Sequence, residues 1–291
     1  MSETDPIFEQ YRGGLERLAY RMLGSLADVD DVLQDAYLRW SRADRGDVQS
    51  AQAYLNSIVT RLCIDQRRKV EARKESYIGP WLPDPVIESA SAGDTLEAAE
   101  SISLAFLVVL ESLSPVERAA YLLRRVFDYE YDQIAEVLDK SAINCRQLVS
   151  RAEERVHERR PRFEPDLDEA ERITGEFLEA CTTGDLDGLV GLLAADAVAY
   201  TDGGGKATAA MVPICGAARV ARMFIGLAQK RGAEYVLRPV RVNGQPGLVA
   251  LYHGELASVL TLDIVEGRIA NCYVFRNPDK LARMSKPEID Q

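Results

Sequence analysis

Asn144, Arg146, Gln147, Ser150 and Arg151 recur on one side of a helical repeat, while Cys145, Val149, Ala152 and Val156 form an apolar stripe on the other. No acid interrupts the polar set before Glu153. Amides and guanidiniums so arranged pair with base edges and phosphates, the chemistry of a helix that enters a DNA major groove. The plainer alternative is the solvated face of a helical hairpin, which has the same periodicity. A second set is cationic: Arg61, Arg67, Arg68 and Lys69, followed by Arg73 and Lys74. Cations at a helix C-terminus complement its macrodipole, but so many in so short a span suit phosphate contact. A third set, Asp30, Asp31, Gln34 and Asp35 with Leu38, is acidic. It is either a solvated face or a docking surface for a basic partner helix. Tyr200, Asp202, His253 and Asp263 are of the types that serve as general acids or bases, yet one His near one Asp in a sheet is more often structural.

Helices must position the first three sets. Ser114, Pro115 and Glu117 form a helix-start signal with a capping box, and Ala120, Leu123, Val126 and Phe127 follow at helical spacing. A second helix is expected over Tyr131 to Leu138, burying Ile134, Ala135 and Leu138, with a turn at Asp139-Lys140-Ser141 before the third. Upstream, a helix is predicted from Ile7 to about Gly24. Another is capped by Asp28 and buries Val29, Val32, Leu33, Ala36, Tyr37 and Trp40. A further helix over Ala51 to Lys69 has core positions Tyr54, Leu55, Ile58, Val59, Leu62 and Cys63. Ser41 to Ser50 reads as a polar loop. The prolines of WLPDPV (81–86) break the pattern, and from Asp84 to Glu100 there are acids and no bases. That stretch is an acidic linker, although Trp81 and Leu82 are side chains that dock on something.

The whole chain bounds these readings. Its 291 residues allow two or three domains, and 47% apolar residues suffice for sizeable cores. A net charge of −11 is wrong for non-specific coating of nucleic acid, so DNA contact must come from local basic patches or with a partner's help. Cys63, Cys145, Cys181, Cys215 and Cys272 are scattered and odd in number, as expected of reduced core residues in a cytoplasmic protein. His157 and His253 are the only histidines, so neither a metal centre nor a cofactor is expected. No signal segment and no apolar run long enough for a bilayer are seen, and no membrane partner is expected.

Beyond Pro161 and Pro165 the pattern changes. Two helices, about Asp168 to Thr182 and Leu186 to Leu193, precede a strand at Ala197 to Thr201 and the turn DGGGK (202–206). A helix runs from Gly216 to about Lys230. Alternating segments follow at Tyr235 to Val242, Leu248 to Tyr252, Ala257 to Val265 and Ile269 to Phe275. Gly244 and Gly247 bound one turn and Glu266-Gly267 another. Helices followed by a curved antiparallel sheet give an α+β cone.

Residues 7 to 160 resemble a bacterial sigma factor of the extracytoplasmic-function type, containing regions 2 and 4. DVDDVLQDAYLRW resembles the segment that binds the polymerase clamp, AYLNSIVTRLCIDQRRK the −10 reader, and YDQIAEVLDKSAINCRQLVSRA the −35 reader. The C-terminal part resembles the SnoaL-like branch of the nuclear-transport-factor superfamily. Sigma factors fused to such a domain share three motifs matched here: WLPDP (Trp81, Leu82, Pro83, Asp84, Pro85), DGGGK (Asp202, Gly203, Gly204, Gly205, Lys206) and NPDKL (Asn277, Pro278, Asp279, Lys280, Leu281). The resemblance implies a multidomain chain: region 2 over 1–75, an acidic linker over 76–96, an all-α region 4 helix-turn-helix over 97–162, and a regulatory SnoaL-like domain over 166–291. Its implied partners are core RNA polymerase, through the β′ clamp helices and the β subunit, and promoter DNA. Asp30, Asp31, Gln34, Asp35 and Leu38 would face the clamp. Arg45, Asp47, Ser50, Asn56, Arg61, Arg67 and Arg68 would meet the −10 element, and Asn144, Arg146, Gln147, Ser150 and Arg151 the −35 duplex. The acidic linker would lie in the polymerase's RNA-exit and active-site channels. WLPDP is expected to dock near DGGGK, with Trp81 in an apolar slot and glycine N–H groups receiving the Asp84 carboxylate. The cone would then act as a built-in regulator, with no separate anti-sigma protein expected. A ligand-sensing or enzymatic cone is the rival reading.

Overall fold

The computed structural model describes residues 5–44, 48, 50–74, 76–88, 102–159, 166–231 and 234–284. They form two compact units, 5–74 with 102 and 106–159, and 76–88 with 103–105 and 166–284.

The first unit is all-helical. Asp5 accepts from the Ile7 amide at 2.9 Å and starts α1 (Pro6–Leu23), and Gly24 ends it in the left-handed conformation. The cap of α2 (Leu26–Ser41) is Ser25, which accepts from the Asp28 amide, and not Asp28 as the sequence suggested. Asp28 lies in the first turn, where its carboxylate accepts from Gln66 on α3 (Ala51–Lys74) at 2.6 Å. Phe8, Leu15, Leu18, Trp40, Leu55 and Val59 fill the core among these three helices. Tyr54, expected inside, is 37% exposed.

After α4 (Leu104–Leu110), the capping box of Ser114 and Glu117 opens α5 (Pro115–Arg125), as its spacing foretold. Ser114→Ala should therefore lower stability by about 1 kcal/mol in urea denaturation of the full chain. Asp139, at φ 53°, ends α6 (Tyr131–Leu138), and the Ser141 hydroxyl accepts from the Asn144 amide at 3.2 Å to start α7 (Ala142–Arg159). Ala120, Leu123, Ile134, Val137, Cys145 and Val149 make one core. On α6 it is Val137, more than Ala135 or Leu138, that goes in with Ile134. The two helical modules are not separate bodies, since α1 and α3 pack against α5 within one unit.

The second unit is α+β. In chain order α8 (Leu167–Thr183), α9 (Leu186–Leu192), β1 (Leu193–Asp202), β2 (Ile214–Cys215) and α10 (Ala217–Arg231) precede β3 (Tyr235–Val242), β4 (Gln245–Tyr252), β5 (Glu255–Val265) and β6 (Arg268–Phe275), and α11 (Pro278–Leu281) follows. The sheet order is β2-β1-β6-β5-β4-β3. It is mixed, which corrects the antiparallel expectation: β1 and β6 run parallel, Tyr200 beside Tyr273. Asn243-Gly244, His253-Gly254 and Glu266-Gly267 join β3 through β6, every residue with positive φ. This pairing matches the twist of two-residue hairpins. Phe177 of α8 meets Phe224 of α10 edge to face over the inner sheet side, with Ala199, Leu260, Cys272 and Val274 beneath.

Candidate functional site

The third helix of the helix-turn-helix presents its polar set as its stripe requires. Cys145, Val149, Ala152 and Val156 are buried; Asn144, Arg146, Gln147, Ser150 and Arg151 are exposed. The Arg146 guanidinium lies 5.1 Å from the Tyr131 ring centroid, a cation–π seat that orients it at the turn. Arg155, one turn further, donates to Glu117 at 2.6 Å and locks α7 onto the start of α5. Asp30, Asp31, Gln34, Asp35 and Leu38 are likewise all exposed along α2.

The cationic end of α3 departs from expectation. Arg67 is 1% exposed and is no surface cation; it donates to Glu111 at 2.8 Å. Arg118 of α5 donates to the same carboxylate at 2.7 Å and to the Arg21 carbonyl at 2.8 Å, and Lys74 also contacts Glu111. Burial pushes the Glu111 carboxyl up, but the pull of Arg118, Arg67 and Lys74 is larger and brings it down to about 2. Lys74 is nevertheless drawn down to about 8, because burial outweighs its share of one carboxylate and Arg67 and Arg118 repel it. Arg68 stays exposed beside Asp65, and Ser50 serves as a helix cap, accepting from the Ala53 amide at 3.3 Å. Asn56 is buried and donates to the Tyr129 hydroxyl at 2.6 Å. Arg61 donates to the Val137 and Glu136 carbonyls at the end of α6, both at 2.9 Å. Two of the residues expected to read a single strand are thus engaged by the helix-turn-helix side of the same unit. Arg45 and Asp47 lie outside the described residues.

The three short motifs meet in the second unit. Asp202, fully buried at the end of β1, is their centre. One carboxylate oxygen accepts from the Tyr77 hydroxyl at 2.5 Å; the other accepts from the Leu82 amide at 3.2 Å and lies 2.9 Å from Lys280 Nζ. Its backbone carbonyl accepts from the Arg276 and Asn277 amides at 2.7 and 2.9 Å. Lys280 also donates to the Leu82 carbonyl, stands 3.4 Å from Asp84 and lies 4.6 Å from the Trp81 ring centroid. Asn277 caps α11 through the Asp279 amide and donates to Tyr77 at 2.9 Å. Burial, then the bond to Asp202, holds the Tyr77 phenol well above its usual range, a neutral donor. Lys206 and Asp279 close the rim with an ion pair at 2.5 Å.

This arrangement alters two expectations. The cation opposite Asp84 is Lys280, and Leu82, 2% exposed, is buried more deeply than the half-buried Trp81. The glycines act by lacking side chains: a Cβ on Gly205, at φ 71°, would stand 2.8 Å from Ile78, and one on Gly204 would strike Asn277. Pro83 and Pro85 are buried beside Leu82. A β-bridge that the sequence did not suggest follows them. Ile87 bridges Val242 antiparallel, Asn243 exchanges two bonds with Val86 at 2.9 and 3.0 Å, and the Glu88 amide donates to the Arg241 carbonyl at 3.0 Å. β3 is the outer strand of the sheet, so this segment covers an open edge. The β-branched pair Val86-Ile87 and the Asn-Gly turn at 243–244 were the available signals.

The acid–base candidates do not converge. His253 sits in a hairpin turn, 63% exposed and 3.9 Å from Glu234. Asp263 accepts from Asn271 at 2.7 Å and is raised by burial; Tyr200 stacks on Tyr273 at 5.7 Å. None of these, nor Asp202, lines the cavity between α8, α10 and the strands β3 to β6. Among the described residues no cluster of three or more His, Cys, Asp or Glu can hold a metal, and no helix is long and apolar enough to cross a membrane.

Comparison with known proteins agrees with this geometry. Residues 7–73 match Sigma-70 region 2 and residues 103–156 match Sigma-70, region 4. The ECF RNA polymerase sigma factor SigJ of Mycobacterium tuberculosis is 34% identical, over 94% of this chain and 91% of its own length. A probable ECF RNA polymerase sigma factor, SigI of the same species, is 31% identical over 97% of each chain. The crystal structure of M. tuberculosis SigJ superposes with a TM-score of 0.79 at 30% identity, covering 96% of this chain and 98% of that one. The chain belongs to the extracytoplasmic-function RNA polymerase sigma factors, and its likeness to SigJ extends through the α+β C-terminal unit.

Proposed function

We propose that this sigma factor is governed by its own cone, which grips the segment 76–88 and so sets how the promoter-reading helices are presented. The supporting observation is the buried Asp202, which binds Tyr77 and Leu82 of that segment together with Lys280 of α11. In this reading region 2 spans 1–75, the linker 76–96, region 4 97–162 and the regulatory domain 166–291. The exposed strip of Asp30, Asp31, Gln34, Asp35 and Leu38 takes the basic clamp surface of core polymerase. The exposed face of α7 reads the −35 duplex. Asn56 and Arg61 take part in −10 reading only after Tyr129 and the end of α6 let go, which suits a factor that binds promoters weakly alone. With the regulator on the same chain, no separate anti-sigma protein is required. The cone works without catalysis, and the chain works where polymerase does, in the cytoplasm.

Run-off transcription with purified core polymerase tests this. Full-length protein, a chain ending at about Arg162 and one ending at about Ala282 should give three different outputs; equal output from all three would overturn regulation by the cone. Gln147→Ala and Arg146→Ala should each weaken −35 discrimination by roughly 1–3 kcal/mol in the holoenzyme, measured by competition between promoter variants. Unchanged discrimination in both would remove α7 as the reader.

A further inference from the structure

Ile143, in the first turn of α7, is 68% exposed, more than any other large apolar side chain described in the helical unit. It stands about two and a half turns before the fully buried Ala152, and so on the side of the helix opposite the core stripe. That makes it the middle of the outward face. Asn144 and Arg146 flank it, and Gln147 and Ser150 follow about one and two turns on, all exposed. This end of the helix is held in place: Ser141 accepts from the Asn144 amide at 3.2 Å, and Arg146 lies 5.1 Å from the Tyr131 ring centroid. Single exposed apolar side chains are common on protein surfaces, so exposure alone assigns nothing. The position does, because the N-terminal residues of this helix are the ones that reach base edges in a helix-turn-helix.

We propose that Ile143 is a specificity-determining residue that packs on the C5-methyl group of a thymine in the −35 duplex. The proposal rests on the reading of α7 as the helix that enters that duplex. Ile143 carries no donor or acceptor. Against the major-groove edge of guanine, adenine or cytosine it would displace water from polar atoms and return no hydrogen bond. The thymine methyl is the one apolar group on those edges, and contact with it removes apolar surface from water on both sides. A β-branched side chain in a helix is held near one χ1 rotamer, so little freedom is lost on contact. Asn144, Arg146 and Gln147, which surround Ile143, have the groups that pair with the polar edges and phosphates beside such a methyl.

Deoxyuridine, which differs from thymidine only by that methyl, supplies the test. Holoenzyme formed from the full chain and core polymerase first selects its −35 element from promoters randomised there. Each thymine of the selected element, on either strand, is then replaced singly by deoxyuridine, and binding is compared by competition. At one position the replacement should weaken binding about fourfold, the worth of one buried methyl. With Ile143→Ser the same replacement should change binding by less than about 1.5-fold, while Ile143→Val should keep most of the sensitivity. Both substitutions fall on an exposed side chain, so thermal unfolding midpoints should stay near that of the unaltered chain. A selected element without thymine would overturn the proposal. So would the absence of any deoxyuridine-sensitive position, or sensitivity undiminished by Ile143→Ser. Arg146→Ala and Gln147→Ala separate this from the reading beneath it. If they relax −35 discrimination while deoxyuridine has no effect, Ile143 is excluded and α7 remains the reader. If neither relaxes it and deoxyuridine has no effect, both readings fall.

Discussion

Glu111→Gln should destabilise the helical unit by about 3–5 kcal/mol, the range seen when one partner of a buried ion cluster is removed. The carboxylate pairs with three cations, Arg67, Arg118 and Lys74, two of which are essentially fully buried, and Glu71 stands farther from Arg67 at 3.8 Å. Arg67 and Arg118 repel Lys74 and one another, so loss of the shared negative charge leaves that repulsion largely uncompensated in a buried site. The amide oxygen can still accept, but the NH2 that replaces the second oxygen turns a donor toward a cation, and the charge imbalance remains. Replacing Arg118 by Met alongside should recover part of the loss, since fewer buried cations then remain. Trp40 lies in the core of this unit, so its fluorescence in a Trp81→Phe background reports the unit's unfolding in urea. A loss below about 1 kcal/mol would mean that water reaches the cluster and screens it.

The same carboxylate sets an acid limit. Its folded value of about 2 lies below the ordinary 4.5, so folding favours its charged form. A depressed carboxyl contributes fully above its unfolded value and loses that contribution as pH falls through the folded one. Stability of the helical unit should therefore drop by roughly 3 kcal/mol between about pH 5 and pH 2 on this group's account. In the Glu111→Gln protein that part of the slope should vanish. Identical slopes in the two proteins would assign acid unfolding to other carboxylates.

What the sequence made legible and what it hid divide along a physical line. α7 could be read because its stripe and cap are local: Cys145, Val149, Ala152 and Val156 repeat at helical spacing, and Ser141 stands before them. The capping box at Ser114 is local too. The three I′ turns were less clear, since His253-Gly254 resembles a catalytic His in a loop until its φ of 49° is known. Arg67 and Asn56 were misread because their partners, Glu111 and Tyr129, are 44 and 73 residues away. A cation at a helix end has the same local signature whether it faces phosphate or a buried acid. Strand alternation marks β1 and β6 but carries no information about which strand lies beside which, so their parallel pairing was hidden. The strap segment at Val86-Ile87 is too short to show a period at all, and only its tertiary hydrogen bonds tie it to the sheet edge.

Asp202→Asn should release the segment 76–88 from the cone while leaving the cone folded. The substitution keeps the shape, so the loss is electrostatic: Lys280 retains Asp84 at 3.4 Å but loses the nearer carboxylate at 2.9 Å. Tyr77 and the Leu82 amide exchange an ionised acceptor for a neutral one, and hydrogen bonds to charged groups are about twice as strong. With a loss of roughly 3 kcal/mol, hydrogen exchange at the Leu82, Val86 and Glu88 amides should accelerate by about 100-fold. Amides between β5 and β6, held by the sheet ladder and the inner core, should keep their protection. Uniform acceleration across the sheet would mean that Asp202 supports the fold and not the strap in particular. Lys280→Met alone should accelerate the same three amides, because it removes the cation that stands beside both Asp202 and Asp84. The pair Asp202→Asn with Lys280→Met should lose less than the sum of the two, since the apolar side chain then leaves no unmatched ammonium. Run-off transcription by the Asp202→Asn protein should move toward that of the chain ending at about Arg162. If exchange accelerates and transcription does not change, strap docking is uncoupled from promoter use, and the cone's grip on 76–88 is structural alone.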